Sequence, residues 1–260
     1  MSSASSSNYG DRLVNVLGRE EAPNERELAA IKELEAIIQR DKPPPYIEYL
    51  MYALLFSNLG KGEQFVKPFV MKALRKVGTV VRDGRWPATI TTKEDAEAKV
   101  GGLVPFGEEF AKRRMYEASN MIYYRVLDIQ EKFFPNKAFM AFNSLGDNFT
   151  RLENFDEALR NYKDALEALS AVPEPSLRAK GRLLTKIADT YILLGSIGAA
   201  KEAANVAERH YTEHPSIKNN TSKGLLRNTY RRIRKGRRRE PNTESVSGVA
   251  SKRSRRNSRM

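Results

Sequence analysis

The sequence predicts an all-α protein: a helical hairpin repeat array with a small β-hairpin-like insertion and a disordered basic C-terminal tail. Three observations carry this reading. Apolar side chains recur at helical spacing along most of the 260 residues. Two stretches share one apolar pattern and lie 42 residues apart, Gly146 corresponding to Ala188. The net charge of +13 is confined to one end: Ile217 to Met260 holds 15 Lys and Arg against two acids, Glu240 and Glu244. The remaining residues hold 30 basic and 30 acidic side chains and sum to zero.

Residues 1–22 read as flexible, and Met1 to Gly10 is serine-rich with neither the basic cluster nor the apolar core of a targeting segment. Asn24 and Glu27 form a capping box, and Leu28, Ile31, Leu34 and Ile38 make one stripe on a helix from about Glu25 to Arg40. Pro43-Pro44-Pro45 ends it. A new helix begins at once with Tyr46, Tyr49, Tyr52-Ala53, Phe56 and Leu59-Gly60, and its partner carries Phe65 and Phe69. Phe65 stands at a position that suits a small residue, so this hairpin is expected to be irregular. Pro68 is expected within the first turn, the only place a helix tolerates it without cost.

Residues 78 to about 107 read as an insertion. Thr79 to Val81 and Arg85 to Ile90 flank Asp83-Gly84, a β-hairpin turn signal. Trp86, the only tryptophan, serves there either as an anchor onto the helices or as an exposed stacking platform. Thr91 and Glu94 are expected to cap a short helix through Lys99, with a loop at Gly101-Gly102 and Pro105. Helical periodicity resumes from Glu108 to Phe134, through Phe110, Met115, Ala118, Ile122, Val126 and Ile129, which places Glu108-Glu109 in a first turn. Pro135 ends that helix.

The clearest pattern follows. Phe142, Leu145, Gly146 and Phe149 share one helical face, as do Ala158, Tyr162 and Ala165, with the polar break Glu153 to Asp156 between them. Small residues fall where two helices approach, and aromatics where the hairpin needs filling. These seven positions resemble the tetratricopeptide repeat without gaps. The closing proline is displaced to Pro173, so the second helix is expected to run about a turn long. After Pro173-Glu174-Pro175 and a cap at Ser176, the pattern returns as Leu184, Ile187-Ala188, Tyr191, Leu194-Gly195, then Ala200, Ala204 and Ala207. The resemblance implies a protein partner held in a repeat groove. The lysine and arginine clamp of chaperone-binding relatives is not evident, so that ligand is not carried over.

The domain reading is therefore a repeat domain over 25–216, a basic amphipathic helix over 217–236 and a disordered basic tail over 237–260. Leu225, Leu226, Tyr230 and Ile233 form the thin apolar stripe of the helix, which is expected to cover the last hairpin and turn its charge outward. The candidate nucleic-acid-binding residues are Arg227, Arg231, Arg232, Arg234, Lys235, Arg237, Arg238 and Arg239, then Lys252, Arg253, Arg255 and Arg256. Arg and Lys neutralise phosphates and release counterions, giving binding that depends on salt and little on sequence. Arg, which dominates here, suits phosphate and RNA through its forked guanidinium. The runs Arg234 to Arg239 and Lys252 to Arg256 would also serve as a nuclear import signal, which is compatible with that binding.

Catalytic chemistry has no support. With no cysteine there is no disulfide, thiolate cluster or cysteine nucleophile. His210 and His214, the only histidines, lie four apart beside Glu213, which is half a zinc site with no third histidine; the helix end explains them as well. Gly60-Lys61-Gly62 and Gly101-Gly102 lack a phosphate-loop fingerprint and read as turns. No catalytic residue, cofactor or metal is expected. The longest early apolar run, Leu50 to Phe56, is too short to span a bilayer. The expected function is a non-enzymatic adaptor, cytoplasmic, nuclear or both, that binds a protein partner and attaches to RNA or another polyanion. It has no membrane contact, and self-association is open. The alternative is a structural nucleic-acid packaging protein of coat or nucleocapsid type, or a ribosome-associated subunit.

Overall fold

The computed structural model describes residues 24–78, 90–217 and 220–237. Among these residues there are ten α-helices, two short 3-10 turns and no strand. The chain divides into two compact units, one ending at Asn154 and the other starting at Phe155.

In the first unit α1 spans Glu25–Asp41, α2 Pro45–Asn58, α3 Glu63–Val77, α4 Lys93–Lys112, α5 Tyr116–Phe133 and α6 Ala138–Arg151. The expected capping box at α1 is present in full: Asn24 Oδ1 accepts the Glu27 N–H at 2.9 Å, and the Asn24 N–H donates to the Glu27 carboxylate at 3.3 Å. Pro45 opens α2 at its first position, where no N–H is needed. The core runs from Leu50 and Phe56 through Val66 and Phe69 to Leu103, Phe110, Ile122 and Leu145, all buried. Phe65 sits half-buried at the edge of this core, its ring edge-on to Phe56 at 5.0 Å. A buried polar relay ties three helices: Asn148 of α6 donates to Ser119 and to the Asn120 side chain of α5, and Ser119 donates to the Gly107 carbonyl of α4, each at 2.8 Å.

Four expectations need correction. Pro68 lies inside α3, past its first turn, so the helix forgoes the hydrogen bond that an N–H at this position would donate to the Gln64 carbonyl. Gly101-Gly102 and Pro105 are not a loop; α4 runs straight through them. The reason is tertiary: Ala96, Leu103, Gly107 and Phe110 make one buried stripe, and a Cβ at Gly102 would collide with the Tyr46 hydroxyl. The cap of α4 is Thr92, which accepts from the Asp95 N–H at 3.2 Å, one residue later than Thr91. The helix predicted from Glu108 to Phe134 is two helices, broken at Arg113 to Met115 by a left-handed Arg114 with φ 61°. Glu109 therefore ends α4, where it pairs with Arg113 and with Lys112, instead of opening a helix. The β-hairpin with Trp86 lies on 79–89, outside the described residues.

In the second unit α7 spans Phe155–Ser170, α8 Leu177–Leu193, α9 Ile197–Glu213 and α10 Asn220–Arg237. Ser176 caps α8 as expected, accepting from the Ala179 N–H at 3.3 Å. Ala188, Ala200, Ala204 and Ala207 are fully buried, so α8 and α9 approach across small side chains. Gly146 and Ala158, the matched small positions of the preceding pattern, are also buried. Gly146→Leu or Ala158→Leu should each overpack the fold and cost about 1–3 kcal/mol. Thermal melts of the two variants check this, and an unchanged melt would show that the pattern has been read in the wrong register there.

Candidate nucleic-acid interface

The charge asymmetry of the sequence becomes a surface on α10. Seven of its residues are basic, Lys223, Arg227, Arg231, Arg232, Arg234, Lys235 and Arg237, and none is acidic. A helix with this composition has little reason to stay folded alone, because like charges four apart repel. It is held by its other face. Leu226 packs with Leu184, Ala207 and Tyr211, and Ile233 with Ala188, Ile197, Ala200 and Ala204. Gly236 completes the approach, since a Cβ there would lie 2.5 Å from Ile197.

Polar contacts fix the register. Arg232 Nη1 donates to Asp189 Oδ1 at 2.8 Å, and the buried Thr229 hydroxyl lies 3.1 Å from the same oxygen. Burial pushes the Asp189 carboxyl above its ordinary value, against the opposing pull of Arg232 and Thr229. The folded chain thus binds that proton more tightly than the unfolded chain, and this group's contribution falls as pH rises through the raised value. The Tyr230 hydroxyl shares its proton between Glu208 at 2.8 Å and Asn205 at 3.0 Å of α9. Burial, then the Glu208 carboxylate, pushes that phenol up to about 12.

With these contacts made, Lys223, Arg227, Arg231, Arg234 and Lys235 remain exposed on the opposite side. Their spacing of four, four, three and one residues sets them along one outward stripe. Of the sequence candidates, Arg227, Arg231, Arg234 and Lys235 lie here, and Arg232 is turned aside into its ion pair. Lys223 belongs to the stripe although the sequence reading left it out; counting back four from Arg227 would have found it. Leu225, expected in the apolar stripe, is 38% exposed, and Ser222 and Thr229 are buried in its stead. Arg237 ends the helix, and Arg238, Arg239, Lys252, Arg253, Arg255 and Arg256 lie outside the described side chains, as does the tail.

His210 is buried, its Nε2 2.7 Å from the Leu177 carbonyl, and its ring centre lies 4.9 Å from that of His214. Among the described residues no group of three His, Cys, Asp or Glu is placed to hold a metal ion. No helix among them is long and apolar enough to cross a membrane.

Residues 137–213 match the family model of the tetratricopeptide repeat. That segment of the chain is tetratricopeptide-like. The matched tetratricopeptide segment takes in α6 to α9, the four helices that carry the seven-position pattern and its recurrence. No curated protein matches the chain. Among the solved structures that resemble it are two at low identity. BtubC (BKLC) from P. vanneervenii is 14% identical over 75% of this chain and 77% of its own, with a TM-score of 0.45. The TPR2AB domain of yeast Sti1, in its pHSP90 complex, is 16% identical over 80% and 79%, with a TM-score of 0.43. Likenesses at that level say nothing about the partners of this repeat protein.

Proposed function

We propose that this protein is a non-enzymatic adaptor whose repeat helices bind a protein partner and whose basic C-terminal region attaches it to RNA or another nucleic acid. The tetratricopeptide-like segment supports the first half, because stacked helical hairpins build extended binding surfaces. The observation that carries the second half is the two-faced build of α10. Its apolar face and Asp189 hold it in place, and Lys223, Arg227, Arg231, Arg234 and Lys235 stand clear of that packing on the other side. Such a stripe meets phosphates as a row of point charges and forks, and reads no base edges. No aromatic side chain accompanies it, since Tyr230 is engaged with Glu208, so stacking contributes little.

Replacing all five stripe residues by Gln in the full chain tests this. RNA affinity should fall at least about tenfold, because each neutralised phosphate carries its own share of counterion release. Helical content should stay unchanged, since none of the five contributes to the core. Equal affinity for parent and variant would remove α10 from the interface.

A further inference from the structure

The cations of α10 stand on a rigid rod. Leu226 and Ile233 pack it against α8 and α9, and Thr229 and Arg232 bind it to Asp189. Lys223 and Lys235, at the two ends of the outward stripe, are about 18 Å apart along the axis at about 1.5 Å per residue. A fixed row of cations suits a fixed row of phosphates. A double helix offers one, about one phosphate per 1.7 Å of axis with both strands counted, against about 3.4 Å on one strand. Its persistence length of about 50 nm keeps that row straight over the whole stripe. A single strand has to be straightened to follow the rod. Proteins that hold single strands offset this by stacking bases on aromatic rings. Ile217 to Met260 contains one aromatic residue, Tyr230, whose hydroxyl is bound to Glu208 and Asn205 of α9.

Gly224 is the second sign. Measured round the helix from Lys223 at about 100° per residue, Arg234 lies at about 20°, Arg227 at about 40°, Arg231 at about 80° and Lys235 at about 120°. Gly224 falls within this arc, at about 100°. A glycine inside a helix is less stable than an alanine there. Gly236 has a packing reason, because a Cβ on it would strike Ile197. Gly224 has none within the fold: a Cβ on it would meet no atom within 4 Å, and its φ is not positive. The glycine leaves a notch among the cations, where the backbone of a ligand can approach the main chain of α10 closely.

On the nucleic-acid reading above, we propose that α10 seats the sugar–phosphate ridge of a double helix and prefers paired to unpaired nucleic acid. Lys223, Arg227, Arg231, Arg234 and Lys235 neutralise phosphates along the ridge, and Gly224 is its point of closest approach. The bases stay stacked on one another, so no aromatic platform is needed. RNA and DNA duplexes both carry such a ridge.

The test measures the full chain by fluorescence anisotropy, at one moderate salt concentration, against an RNA duplex, a DNA duplex and the unpaired strand of each. Each duplex should bind at least about fivefold tighter than its own strand, since each neutralised phosphate counts for about 0.9 in the salt slope of a duplex and about 0.7 in that of a strand. The tighter duplex names the source of the ridge. Charges beyond Arg237 add to every probe, so two variants isolate α10. Gln at all five stripe positions should bring the paired and unpaired forms closer together. Gly224→Leu keeps every charge and fills the notch. It should weaken duplex binding at least about threefold and leave single-strand binding unchanged, with no drop in melting temperature, because leucine is the better helix former. Selective loss on the duplex without loss of stability is not what a packing role would give. If the parent binds strands as tightly as duplexes while the Gln variant weakens on both, attachment through α10 stands and duplex seating is refuted. Gly224→Leu binding duplexes like the parent refutes the seating too. If the Gln variant binds every probe like the parent, the stripe is not the interface, and the nucleic-acid reading of α10 falls with the seating.

Discussion

Phe56→Ala should cost about 3–5 kcal/mol, the largest loss expected from any single truncation in the first unit. Phe56 is 1% exposed and sits at the centre of a ring cluster, 5.0 Å from Phe65 and 5.2 Å from Phe69. The substitution removes buried apolar area and leaves a cavity walled by helices α2 and α3, which cannot collapse because Ala53, Val66 and Val70 are already packed. It also dissolves two aromatic pairs, worth about 0.5–1.5 kcal/mol each beyond area. Urea midpoints at an unchanged slope give the number. Leu28→Ala, at a position 40% exposed, is the control and should stay within about 0.5 kcal/mol. A loss under about 1 kcal/mol for Phe56→Ala would contradict the core as described.

The second large effect concerns salt. RNA affinity of the full chain should fall steeply between 50 and 200 mM salt, by about 10³ to 10⁵ if 6–10 phosphates are contacted. It should change little between RNAs of equal length and different sequence, because charge on exposed side chains positions the strand without reading it. Filter binding or fluorescence anisotropy across a salt series measures the slope. The five-fold Gln variant of α10 should show a shallower slope, by about one unit for each phosphate it no longer neutralises. A flat salt dependence would mean that stacking or base readout dominates, and the polyanion account would go with it.

The repeat hairpins were legible because their packing residues are local and periodic: Phe142 to Phe149, Ala158 to Ala165 and their recurrence from Leu184 to Ala207 need no knowledge of neighbours. The insertion was not, because one of its glycines, Gly102, serves a distant residue. Gly102 reads as a loop former until Tyr46 of α2 is seen against it. The break at Arg114 was hidden for a different reason. The apolar spacing of α4 runs into that of α5 almost in phase, and the first turn of α5 has no side-chain cap of its own. Its cap comes from Glu63 of α3, whose carboxylate accepts the Ala118 N–H at 2.6 Å. At the interface, the basic composition of α10 was plain, but not which cations face outward. Arg231 and Arg232 are neighbours in sequence, and only Asp189, on another helix, decides that Arg232 turns in.

The central claim is that nucleic-acid attachment resides in the basic C-terminal region and not in the charge-balanced body. Cutting the chain at Ser216 is a poor test, because it also strips α10 from Leu184, Ala188, Ala204 and Ala207. The better protein ends at Arg237 and carries Gln at Lys223, Arg227, Arg231, Arg234 and Lys235, so that the apolar face of α10 and its Asp189 ion pair remain. Its RNA affinity should be measured beside that of the full chain, at one moderate salt concentration, by fluorescence anisotropy. The account predicts no measurable binding by the shortened, neutralised chain and tight binding by the full chain. Equal binding by the two would place the nucleic-acid surface on the repeat body and contradict the claim.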